Sequence, residues 1–62
     1  MTNFQIKVLI ADDHALVRDG LECLLQKEVG IELIAKAANG KELLSLTAEL
    51  DPDIILLSLV CN

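Results

Sequence analysis

The feature that most constrains this chain is its last apolar run, residues 54–60 (IILLSLV), in which Ser58 is the one polar position. Seven residues are far too few to span a membrane. Bounded on one side by Asp51-Pro52-Asp53, the run reads as a strand covered on both faces, the pattern of a central strand in a parallel sheet. Such a strand wants a neighbour on each side and a helix on each face, yet the sequence ends two residues later. A chain of 62 residues is at most one small domain. At that size only about 60% of the unfolded surface is buried on folding, so the margin of stability is thin.

The preceding segments supply what a parallel sheet needs. Residues 6–11 (IKVLIA) form a short apolar, partly β-branched run that ends at two acids, a second strand buried on both faces. After it, Val17, Leu21, Leu24 and Leu25 recur at helical spacing, with Arg18, Asp19, Glu22 and Gln26 on the other face. Gly20 inside this helix costs about 1 kcal/mol relative to Ala, so close packing on a strand is expected there. Asp13 is placed to cap the helix start, and Gly30 to serve as its C′ glycine. Residues 31–37 (IELIAKA) set Glu32 and Lys36 against Ile31, Leu33 and Ala35, as in a half-exposed edge strand. Asn39 and Glu42 form a capping pair for a second helix over about 40–50, with Leu43, Leu46 and Leu50 on one stripe. Asp51-Pro52-Asp53 stops it. The order is therefore β-α-β-α-β with short loops, an α/β chain whose right-handed crossovers give a three-stranded parallel sheet.

Composition narrows the function. Ten acidic and five basic residues give a net charge of −5, which argues against nucleic acid as a direct partner. Phe4 is the single aromatic residue, so no base-stacking platform exists. Cys23 and Cys61 lack metal-ligand spacing and make no disulfide framework. Nothing at the start resembles a signal peptide, and a cytoplasmic location with reduced thiols is the default.

The residues with chemical potential are Asp12 and Asp13, at the carboxyl end of the first strand. Ligands of open α/β sheets bind just beyond such strand ends, and two adjacent carboxylates suit Mg²⁺, a hard cation with a preference for oxygen. The plainer alternative is that Asp13 caps the helix while Asp12 is solvated. His14, next in line, reads as an exposed first-turn residue rather than a ligand. Cys23, on a helix, reads as inert, and Cys61 as an exposed, oxidisable thiol.

Taken together, IKVLIADDHALVRDGL, AANGKELL and LDPDIILL closely resemble the receiver domains of bacterial response regulators, most closely those whose receiver precedes a helix-turn-helix DNA-binding domain. The resemblance runs from Ile6 to Leu59. It implies a partial flavodoxin-like fold with strands in the order 2-1-3, and it matches Asp12 and Asp13 to the family's Mg²⁺-holding acidic pair. It also implies a histidine kinase as partner. Its phosphoacceptor aspartate, however, falls on Ser58. The family usually continues Asp-Leu-x-Met-Pro, whereas this chain reads Ser58-Leu59-Val60-Cys61-Asn62. A serine carries no negative charge, is a poor ligand for a hard metal beside a carboxylate, and forms no labile acyl phosphate. The family's Thr/Ser and Lys come from its fourth and fifth strands, which the 62 residues do not reach.

These observations give a set of expectations. Residues 1–62 read as a truncated receiver without a DNA-binding domain, not an enzyme, unable to take up a phosphoryl group and binding Mg²⁺ weakly. The sharp departure at Ser58 suggests a broken reading frame: codons for Arg-Met and a following C, read one base out of phase, give Val60-Cys61 (GTA TGC). Sequencing the locus and translating every downstream frame tests that idea. An alternative is a small interaction module whose third strand pairs with itself or with an intact receiver. Use of Asp53 as the acceptor is disfavoured, because it lies at the wrong end of the third strand.

Overall fold

A computed structural model describes residues 5–58. Phe4 and the last four residues, among them the Leu59, Val60 and Cys61 of the readings above, lie outside the described residues. The elements are β1 (Ile6–Asp12), α1 (Ala15–Gln26), β2 (Ile31–Ala37), α2 (Gly40–Leu50) and β3 (Ile54–Ser58). All strand pairings are parallel, in the order β2-β1-β3. This is the α/β arrangement read from the sequence, a partial flavodoxin-like fold. The chain crosses from β1 to β2 in one direction and from β2 to β3 in the other. Right-handed crossovers therefore set α1 and α2 on opposite faces of the sheet.

The core is β1. Val8, Leu9, Ile10 and Ala11 are buried consecutively, which requires cover on both faces, and Ala37 of β2 joins them. The pairing of β1 with β2 shifts by one residue between Val8 and Leu9, so that Leu33 and Ala35 become successive partners and Ile34 is left over as a bulge.

Four local expectations need correction. Asp13 does not cap α1. The N-cap is His14, which makes no side-chain cap bond, and the carboxylate that serves the helix entry belongs to Asp12. Gly30 is not the C′ residue. The helix ends at a right-handed Lys27, and Gly30, with φ of 92°, shapes the turn into β2, where its carbonyl accepts the Ile6 N–H at 2.7 Å. Gly20 packs on nothing: a Cβ there would meet no atom within 4 Å. The sheet-facing side of α1 is Arg18, Leu21, Glu22 and Leu25, which are half-buried, whereas Val17 and Leu24 are exposed.

Around α2 the readings hold. Glu42 receives the Asn39 cap, its N–H donating to Oδ1 at 2.9 Å, and its own carboxylate reaches back to the Ala38 N–H at 2.7 Å. Leu43, Leu46 and Leu50 are half-buried on one stripe. The helix closes at Asp51 in the left-handed region, φ 52°, a conformation that Asp tolerates better than most side chains. Thr47 Oγ1 is buried without a hydrogen-bond partner among the described residues.

The central-strand pattern of the last run is not matched by its surroundings. Among the described residues β3 pairs with β1 on one side, and neither helix approaches it closely. Its four apolar side chains, Ile54 to Leu57, stay 37–61% exposed.

Candidate functional site

The parallel register places the carboxyl ends of β1 and β3 side by side, with Asp12 and Ser58 as Cα partners. Asp12 is buried, 1% exposed, and among the described residues it is the one charged residue that is buried. Its solvated reading is therefore wrong. At this last residue β1 is paired with β3 alone, its pairing with β2 having ended at Ala11, and burial of a carboxylate there demands partners.

The partners are local. The His14 N–H donates to Asp12 Oδ1 at 2.7 Å, so the turn between β1 and α1 closes on the carboxylate. This bond is the main reason that the Asp12 carboxyl lies below its ordinary value of 3.8. Burial opposes it, while the neighbouring Ser58 hydroxyl and the His14 ring also favour the ionised form. The His14 Nδ1 lies 3.6 Å from Asp12 Oδ1 and 2.8 Å from Asp13 Oδ1. Asp13 and His14 are both well exposed. Ligand atoms of Asp12, Asp13 and His14 lie within 4.8 Å of one another.

Arg18, on the polar face of α1 by its spacing, is half-buried, and its Nη1 donates to the Asp12 carbonyl at 2.8 Å. A cation one turn into the helix that follows a strand-end acid pair was the available signal. Asp53 sits exposed at the opposite end of β3, its Oδ2 accepting the Lys7 N–H at 2.9 Å. Cys23 is an exposed, free thiol on α1.

The donor set fits a hard cation in part. Two adjacent carboxylates, one buried and one open to solvent, offer oxygen ligands of the kind such an ion prefers. Beside them, on β3, Ser58 offers a hydroxyl.

Comparison with known proteins agrees with the fold. Residues 8–60 match the family described as the response regulator receiver domain. The chain is 47% identical over 55 residues to the transcriptional regulatory protein LiaR of Bacillus subtilis, covering 89% of this chain and 26% of that one. It is 49% identical over 53 residues to YdfI of the same organism, covering 86% and 25%. To the response regulator protein VraR of Staphylococcus aureus it is 44% identical over 57 residues, covering 92% and 27%. The chain belongs to the receiver domain family of two-component response regulators. It spans about a quarter of the length of the curated relatives it matches. No helix among the described residues is long and apolar enough to cross a membrane.

Proposed function

We propose that this chain is a receiver-type module of two-component signalling that does not accept a phosphoryl group, because the acceptor position is Ser58. The observation that carries this reading is the pairing of Ser58 with Asp12 at the adjoining carboxyl ends of β3 and β1. A nucleophile set there, beside the acidic pair, would be the family's aspartate. A hydroxyl supplies neither the negative charge that helps hold the metal nor a group that forms an acyl phosphate. Asp12 and Asp13 are the residues to hold Mg²⁺. The ion when bound would neutralise charge at the strand ends, and with one carboxylate fewer it is held weakly. Arg18 and the His14 N–H act by positioning, since they fix the carbonyl and carboxylate of Asp12. The partner class is the family's histidine kinases, met as a docking partner rather than as a phosphoryl donor. The module is not an enzyme and, at a net charge of −5, does not itself bind nucleic acid. Transcriptional control, carried in the names of two of the relatives, belongs to proteins about four times the length matched here.

The test is treatment with acetyl phosphate and Mg²⁺ followed by intact-mass measurement. No mass gain is expected. A stoichiometric gain that hydroxylamine removes would show an acyl phosphate and overturn the reading. Calorimetry with Mg²⁺ is expected to show weak binding that Asp13→Ala abolishes.

A second reading, a small interaction module, is favoured by one observation: among the described residues, the four apolar side chains of β3, Ile54 to Leu57, are exposed.

A further inference from the structure

We propose that Asn39 is a site of spontaneous deamidation in the folded protein, with the backbone nitrogen of Gly40 as the nucleophile. This chemistry is separate from the signalling reading and independent of Ser58.

Asparagine is a thermolabile residue. Its side-chain amide is lost most readily when glycine follows, because no Cβ then crowds the attacking main-chain nitrogen. Asn39 is the one asparagine of the chain that precedes a glycine, since Asn3 is followed by Phe4 and Asn62 is the last residue. Asn39 and Gly40 are both exposed, at the junction of β2 and α2. Asn39 has extended backbone, and Gly40 is the first residue of the helix. The first main-chain bond of α2 runs from the Leu43 N–H to the Asn39 carbonyl. The Gly40 N–H thus lies in the turn whose amides have no partner within the helix. The fold makes no demand for glycine here. Its backbone is outside the left-handed region, and a Cβ would meet nothing within 4 Å.

The chain contains its own comparison. Asp19-Gly20 is the same kind of dipeptide, with a side-chain carbonyl carbon beside a glycine nitrogen. Gly20, however, lies inside α1, where its N–H is held by the carbonyl four residues back, that of Leu16. That nitrogen is engaged, and the Gly40 nitrogen is not.

The reaction needs only water. The Gly40 nitrogen attacks Asn39 Cγ, and a bond between them forms as the Cγ–Nδ2 bond breaks. The Gly40 amide proton leaves with Nδ2 as ammonia, and a succinimide remains. Water then adds to one of its two carbonyl carbons, its second proton returning to the ring nitrogen. Opening at Cγ leaves aspartate, and opening at the main-chain carbon leaves isoaspartate.

The cap opposes closure. Asn39 Oδ1 accepts the Glu42 N–H at 2.9 Å, and the Glu42 carboxylate holds the Ala38 N–H at 2.7 Å. The carboxamide must leave the cap before Cγ can close on the Gly40 nitrogen, and a cap of typical strength slows that step about five-fold. The two products differ. Aspartate keeps an oxygen for the Glu42 N–H and adds negative charge where the helix dipole favours it. Isoaspartate lengthens the main chain between β2 and α2 by one CH₂ and takes the acceptor out of place. Either adds a carboxylate at the carboxyl end of the sheet, because β2 ends at Ala37, the partner of Ala11, which precedes Asp12.

The 62-residue chain is incubated at mildly alkaline pH, folded and in urea. Tandem mass spectrometry of a digest locates any gain of water less ammonia. Circular dichroism establishes at the outset whether the parent and Gly40→Ala fold alike. Conversion at Asn39 is expected in the folded chain, about five-fold slower than in urea. Gly40→Ala is expected to slow it severalfold, and the same comparison in urea reads that effect without any contribution from folding. Asn39→Ser keeps a capping hydroxyl and should remove the early release of ammonia. A folded chain that stays intact at Asn39 while the urea-unfolded chain converts would overturn the proposal. So would a Gly40→Ala variant that converts as fast as the parent, or ammonia loss that begins at another residue. The acetyl phosphate experiment on fresh protein is unaffected by these outcomes, so a failure here is separable from a failure at Ser58.

Discussion

Replacing Gly20 by Ala should stabilise this protein, and the size of the effect follows from α1. Gly20 lies near the middle of the helix Ala15–Gln26, in right-handed backbone that any residue adopts. A Cβ added there meets nothing within 4 Å. The substitution therefore has no packing cost, and it removes the entropic penalty of glycine in a helix interior, about 1 kcal/mol. Part of the gain comes from a less flexible unfolded chain. For a domain of this length 1 kcal/mol corresponds to about 4–8 °C in Tm. Thermal unfolding followed by circular dichroism, at matched concentration, measures it. The position also has a directional meaning. Lys36 of β2 holds Asp19 and Glu22 of α1, with its Nζ 2.7 Å from Glu22 Oε1 and 3.6 Å from Asp19 Oδ1. Val17 and Leu24, three and four residues from Gly20 on the same flank of the helix, are exposed. If that flank were covered by a close-packed neighbour near Gly20, the added methyl would clash and lower Tm. A fall, or no change, would refute the argument that the face at Gly20 is open.

Two further outcomes follow from the polar groups. The Asp12 carboxyl is lowered in the folded protein, so it contributes stability fully present above its unfolded value of 3.8 and lost as pH falls through the folded value. Acid unfolding below about pH 4 should accordingly be shallower in Asp12→Asn than in the parent, and identical acid profiles would count against the linkage. Thr47→Val keeps the shape of the side chain and removes a buried hydroxyl that has no partner. Stabilisation by about 1 kcal/mol is expected in urea unfolding, and a loss of that size would mean that the hydroxyl is satisfied in solution.

Much of the architecture was legible because the sequence states it twice, in periodicity and in punctuation. β2 and α2 carry matching signals: alternation in Ile31–Ala37, the Asn39–Glu42 cap, the Leu43, Leu46, Leu50 stripe and the Asp51-Pro52 stop. Periodicity was less informative for α1. Its apolar residues cover more of the circumference than the sheet can meet, so the stripe from Val17 to Leu25 predicts a helix but not which part of it is buried. The long stem of Arg18 takes one of the sheet-facing places because its guanidinium has a carbonyl to reach, a possibility that hydropathy does not express. Gly20 and Gly30 were misread for a related reason. Glycine signals permissiveness, and only the neighbouring backbone says whether the freedom is used, as at Gly30, or idle, as at Gly20.

The strand ends show where pattern gives way to topology. Residue order alone places Asp12 before a helix and Ser58 near the end of an apolar run, 46 positions apart. They become neighbours because β3, after crossing over α2, returns alongside β1 with Asp12 opposite Ser58. The same step leaves β3 at the sheet edge, so its apolar sequence and its exposure conflict: Ile54–Leu57 are suited to a position with a strand on both sides and have one on a single side. Local propensity is satisfied there, and tertiary cover is not. Ser58, at the end of this strand that adjoins the acidic pair, bears on the phosphoryl reading, while the exposed Ile54–Leu57 bear on the interaction reading.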